Sequence, residues 1–119
     1  MSRASGDWGE ALVANYLRER GYTLLAHSYR CRFGEIDLIA KKKNLLCFVE
    51  VKLRSAVEHG LPREAVTASK QEKIRKTASM YMSGRSLDLP VRFDVAEVYT
   101  DVAHSENSTK IQYLENAFI

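Results

Sequence analysis

Two cysteines, Cys31 and Cys47, are all that this 119-residue sequence contains. They lack CxxC spacing and a histidine-rich neighbourhood, so they supply too few ligands for a structural zinc site and too few thiols for a disulfide scaffold. Both read as reduced thiols. Long apolar runs are missing as well. The opening Met1 to Asp7 lacks the apolar core of a secretory signal, and no stretch reaches the roughly 18 apolar residues that cross a bilayer. A cytoplasmic protein with no membrane partner is therefore expected. Charge of one sign is also scarce: 18 Lys and Arg stand against 15 Asp and Glu, a net of +3. Such a surplus is compatible with a nucleic-acid partner without establishing one.

What is present is an ordinary globular composition, 45% hydrophobic and 28% charged, in a chain long enough to bury a core. No repeat, low-complexity tract or linker divides it, so residues 1–119 are expected to form a single domain. Trp8, Leu12, Val13, Tyr16 and Leu17 recur at helical spacing, with Ser5 as a possible cap and Gly21 where a C-terminal cap belongs. Strands are expected over Tyr22–Arg30, whose end is blurred by His27-Ser28, and over Glu35–Lys41, Leu45–Arg54, Val91–Tyr99 and Ile111–Phe118. Thr67 or Ser69 caps a second helix that ends at Gly84. Ser55 to Val66 and Asp101 to Thr109 read as loops. The order is α-β-β-β-α-β-β, an α/β fold with a central mixed sheet flanked by helices.

The chemistry concentrates in Gly34-Glu35-Ile36-Asp37-Leu38-Ile39-Ala40 and Phe48-Val49-Glu50-Val51-Lys52. Alternation along a strand projects Glu50 and Lys52 together, with Val49 and Val51 on the other face. A short connection pairs the two strands antiparallel and brings Asp37 beside Glu50. Two carboxylates about 4 Å apart repel by about 4 kcal/mol at an effective dielectric near 20. Exposed Glu-x-Lys triplets are common and usually solvated, but this one interrupts a run that otherwise reads as a central strand. A hard divalent cation, Mg²⁺ or Mn²⁺, would compensate the two acids and suits phosphodiester cleavage, with Lys52 near the attacking water or the phosphate oxygens.

At these residues the sequence resembles the YraN-like uncharacterised bacterial protein family. That family is in turn similar to the restriction-endonuclease-like, PD-(D/E)xK superfamily, including Holliday-junction resolvases. The pattern runs from Gly9-Glu10 through Tyr29-Arg30, the Asp37 and Glu50-Val51-Lys52 motifs, Leu53-Arg54 and Lys70 to Arg92-Phe93-Asp94-Val95. The resemblance implies a restriction-endonuclease-like fold and a nuclease site in which Asp37 and Glu50 bind the metal and Lys52 is the catalytic lysine. Glu10 matches a helical acid that completes the metal site in resolvase-like members, and Ile36 stands where the signature often has proline. The relatives also pair, which makes a homodimer possible.

Several residues keep two readings. Glu10 is either a ligand or a surface acid that complements the helix dipole. Glu35 is expected outside the metal shell. Arg92-Phe93-Asp94 reads as architectural, an ion pair at a strand end. Lys70 and Lys73, on a helix that also carries Arg75 and Lys76, are candidates for phosphate contact or a solvated face. Lys41-Lys42-Lys43 and Arg54 are expected to form a second basic cluster around the site. His27, His59 and His104 lack partners and are not expected to act. The combined expectation is a metal-dependent phosphodiesterase acting on nucleic acid, with DNA the expected substrate, by structure- or end-dependent cleavage. The alternative is a non-catalytic nucleic-acid- or protein-binding module that keeps the fold.

Overall fold

The computed structural model describes residues 3–55, 66–100 and 109–118. Its elements are α1 (Arg3–Glu19), β1 (Thr23–Cys31), β2 (Gly34–Lys42), β3 (Leu45–Ser55), α2 (Ala68–Gly84), β4 (Val91–Thr100) and β5 (Lys110–Phe118). The expected order holds, with boundaries displaced by a residue or so. The helix begins at Arg3 rather than after Ser5, so Ser5 lies inside it. The expected loops between residues 55 and 66 and between 101 and 109 fall almost wholly outside the described residues.

The caps follow from local chemistry. After α1, Gly21 takes φ 88°; its amide donates to the Arg18 carbonyl at 3.1 Å and that of Tyr22 to the Leu17 carbonyl at 3.0 Å. This is a Schellman closure that a side chain with a Cβ would strain. Thr67 caps α2, its hydroxyl accepting the Lys70 amide.

The five strands lie in the order β1-β2-β3-β4-β5, which makes β3 the central strand. Only the β3–β4 pair is parallel; the others are antiparallel, giving a mixed sheet. The parallel pair requires a crossover, and α2 lies within it. Each helix covers one face. Val13, Ala14 and Leu17 of α1 pack on Leu38, Ala40, Cys47, Val49, Ala96 and Val98. On the other face Ile74, Ala78 and Tyr81 of α2 pack on Ile36, Ile39, Leu46, Phe48 and Phe118.

Besides the β1–β2 register shift between Leu24 and Ala26, two irregularities shape the sheet. Near its β5 edge the β4–β5 register shifts between Phe93 and Val95. Asp94, with no exposed surface, accepts there from Arg92, from the Tyr113 hydroxyl at 2.6 Å and from the Asn116 amide at 2.9 Å. The ion pair expected of Arg92 and Asp94 is thus present at 2.9 Å, and it pins the strand edge. The second irregularity lies at Ser28 and Asp37. Ile36 and Ile39 share the α2-side cluster although three residues separate them, as do Ala26 and Tyr29 opposite. Strict alternation would put them on opposite faces. The reversal coincides with Ser28, whose φ is 49°, so the strand blurred in the sequence by His27-Ser28 continues through a left-handed residue.

A candidate active site at a fork in the sheet

The β2–β3 ladder runs from Lys42 opposite Leu45 to Leu38 opposite Val49 and goes no further. Beyond that point β3 continues on β4 alone, from Glu50 opposite Val95 to Ser55 opposite Thr100. The sheet therefore forks at Asp37. An amide left on the open edge of β3 needs an acceptor, and Asp37 supplies it: the Val51 amide donates to Asp37 Oδ2 at 2.8 Å. One bond therefore both closes the fork and fixes the Asp37 carboxylate.

Glu50 follows Phe48 on the α2-side face and is 6% exposed. Its carboxyl lies beside that of Asp37. Burial first, then the charge and hydrogen bond of Asp37, push Glu50 up to about 9, with Lys70 pulling the other way. Its Oε1 is buried and has no hydrogen-bond partner. Lys52 lies on the same face, half-buried, opposite Glu97 on β4. Asp37 and Glu50 are thus brought together, and Lys52 shares the face of Glu50.

Glu10 stands on α1, where it accepts from the Ser28 hydroxyl at 3.1 Å. Burial raises its pKa first, and the charge of Asp37 adds to that, so Glu10 is near Asp37. Among the described residues, however, no three His, Cys, Asp or Glu side chains stand close enough to hold a metal ion between them. Glu35 is exposed and paired with Arg30 at 3.2 Å.

The basic residues separate into two groups. Lys70 is near enough for its charge to lower the Glu50 pKa, and Lys73 lies beside the start of β2, where its Cβ would sit 3.8 Å from a Cβ built on Gly34. Both belong to the forked end. The expectation for Lys41 to Lys43 is not met. Lys41 and Lys42 end β2 and Lys43 enters the hairpin turn, so Lys42 stands five residues, about 17 Å of strand, from Asp37. Its Nζ lies 5.1 Å from the Tyr22 ring instead. An antiparallel hairpin places its turn at the end opposite the fork. Arg54 does lie on the face of Glu50 and Lys52, but it is engaged: its Nε meets Glu97 Oε2 at 2.8 Å, and its side chain is 18% exposed.

Two contributors have no role in the sequence reading. Ser28 registers in the sequence only as a break in a strand pattern. Glu97 is 1% exposed; its signal is a lone acid within the apolar strand Val95-Ala96-Glu97-Val98, the same cue that marks Glu50.

Residues 9–98 match the uncharacterised protein family UPF0102. A UPF0102 protein of Acetivibrio thermocellus is 46% identical over 119 residues, covering 98% of this chain and 92% of that protein. One from Clostridium acetobutylicum is 43% identical, with 99% and 96% covered. One from Alkaliphilus metalliredigens is 41% identical, with 99% and 100% covered.

Proposed function

Because the chain belongs to the uncharacterised protein family UPF0102, whose description carries no activity, we propose a function from the site itself: metal-dependent hydrolysis of phosphodiester bonds in nucleic acid, with DNA the first substrate to test. The observation that carries this reading is the pair of adjacent acids at the fork, one with a buried oxygen that has no hydrogen-bond partner. A buried carboxylate oxygen without a partner costs free energy, and a hard cation is a natural occupant. The absence of a three-acid cluster among the described residues suits Mg²⁺ or Mn²⁺, which keep water and take phosphate oxygens alongside one or two carboxylates.

Asp37 and Glu50 would hold the ion, which when bound supplies Lewis-acid activation of water and charge neutralisation at the scissile phosphate. Asp37 is pre-set by the Val51 amide, so its carboxylate need not reorganise. Glu50 presents its unsatisfied oxygen from a rigid central strand. Lys52, two residues on and on the same face, stabilises the charge that develops on the phosphate or orients the attacking water. Lys70 and Lys73 hold backbone phosphates at the start of α2. Glu10 buttresses Ser28 and Asp37 from the α1 side. The order α-β-β-β-α-β-β with its acidic fork supports the restriction-endonuclease-like fold.

The test is cleavage of branched, flapped and linear DNA with Mg²⁺, Mn²⁺ or EDTA. Cleavage is expected with either metal and not in EDTA, with Asp37→Asn and Lys52→Ala each lowering it by about 10²-fold or more. Activity untouched by both substitutions would overturn the assignment, and metal-independent DNA binding without cleavage would point to the non-catalytic module.

A further inference from the structure

The turn between β1 and β2 carries an aromatic ring that the fold does not use. Phe33 is half-exposed and belongs to neither hydrophobic cluster, whereas a hairpin turn ordinarily carries small or polar residues. Its ring is flanked by cations, with the Arg32 guanidinium carbon 4.9 Å and Lys76 Nζ 6.0 Å from the centroid. It forms one wall of a groove of about 510 Å³ shared with Arg75, Lys76 and Met80 of α2, within the size range of sites for small organic groups. Glu72 also lines the groove, 3.9 Å from both Arg75 and Lys76, so it steadies two cations without cancelling both. The next residue, Gly34, seats the turn on α2: a Cβ there would meet Thr77 Oγ1 at 3.3 Å.

The groove connects with the fork. Lys70, Lys73 and Lys76 are exposed and spaced by three along α2, so they lie near one side of the helix. Lys70 is close enough to act on Glu50 and Lys76 reaches Phe33. Phe33 itself stands four residues from Asp37, about 13 Å along the strand. A row of cations ending on a half-exposed ring is the chemistry that holds a single-stranded nucleic acid, charges for the phosphates and a flat apolar face for a base.

We propose that the Phe33 groove is a stacking subsite for an unpaired nucleotide, so that the substrate class is nucleic acid with a single-stranded segment beside the bond that is cut. The proposal rests on the nuclease reading for its meaning, but its binding test does not. Phe33 supplies the stacking face, Arg32 and Lys76 flank it, and Lys70 and Lys73 carry the backbone back to the acids. A paired duplex end has no base free to enter the groove, which separates flapped or frayed substrates from blunt ones.

The test is the fluorescence anisotropy of a labelled oligothymidylate titrated with the full chain in EDTA, so that no cleavage intervenes. Phe33→Ala is expected to weaken binding about tenfold, Phe33→Leu by a similar factor because it keeps bulk but loses the π face, and Phe33→Trp to restore affinity. Blunt duplex binding should change less than twofold in all three. Lys76→Ala should reduce the salt dependence by about one phosphate contact. Thermal melting checks that each variant folds; if Phe33→Ala does not, the Leu and Trp variants decide. Equal affinity across the Phe33 series would overturn the proposal. So would a labelled polyglutamate peptide binding more tightly than the oligonucleotide, which would make the groove a protein-docking site. Binding is read in EDTA and cleavage with Mg²⁺, so a wild-type chain that binds through Phe33 but never cleaves sinks the nuclease reading alone, and cleavage with equal affinity across the Phe33 series sinks the subsite alone.

Discussion

Glu50 is where burial and charge conflict most sharply. It sits on the central strand, 6% exposed, against a second acid, and without a cation it responds by holding a proton. A metal ion must displace that proton, so metal affinity depends on pH. Calorimetric titration with Mn²⁺ is expected to show proton release, with affinity rising between pH 6 and 8, and Glu50→Gln should abolish binding. Binding of equal strength in the Gln variant would remove Glu50 from the site. The same residue shows how legible chemistry was at this scale. A charge inside Phe48-Val49-Glu50-Val51 stands out against an apolar background, and so does Glu97 among Val95, Ala96 and Val98. What no local pattern conveys is the partner of each. Glu50 meets another acid, while Glu97 meets Arg54, 43 positions earlier in the chain, so an acid sits beside one carboxylate and a cation beside the other.

Among the elements, the strand that makes the site possible is the irregular one. β1 passes through Ser28 at φ 49°, opposite the point where β2 parts from β3, and bulge-like defects of this kind re-aim side chains near functional sites. The Ser28 hydroxyl also ties β1 to Glu10 on α1. Ser28→Val removes that bond and forces a β-branched residue into a left-handed conformation. We expect it to cost about 1–3 kcal/mol, measured by urea unfolding, and to reduce cleavage beyond what the lost stability explains. Ser28→Gly, which relieves the strain and loses only the hydroxyl, should be milder on both counts. If the Val variant were as stable and active as wild type, the fork would not depend on this residue. Element order and type were readable because helical and strand periodicities persist over nine or more residues here. The reversal of face at Ser28 was not, because one left-handed residue leaves no periodic trace.

At the scale of the whole molecule, the acid pair makes stability depend on pH. The carboxyl of Glu50 titrates near 4.5 when unfolded and higher, at about 9, in the native metal-free state. Between those values the native protein binds more protons than the unfolded chain, so stability falls as pH rises, by at most about 1.4 kcal/mol per unit. In EDTA the melting temperature is therefore expected to decline from pH 5 to pH 9. Glu50→Gln should flatten the decline and melt higher than wild type at pH 8. Added Mn²⁺ should raise the wild-type melting temperature most at high pH, where the proton is easiest to displace. A flat profile in the metal-free wild type would mean that burial beside Asp37 does not raise Glu50. Among the described residues no helix is long and apolar enough to cross a membrane.

The sequence by itself determined the alternation of helices and strands, the face shared by Glu50 and Lys52, and the pairing that brings Asp37 near them. Each follows from a period of 2 or 3.6 residues or from a short hairpin connection, and those are local properties of the chain. Tertiary structure alone decided that β2 and β3 fork at Asp37, that α2 delivers Lys70 to the acids while Lys41 to Lys43 lie at the far end, and that Phe33 stands beside Lys76 instead of in a core. Those outcomes depend on which residues far apart in sequence come into contact, and contacts of that range are set by how whole faces pack against one another, which no window along the chain contains.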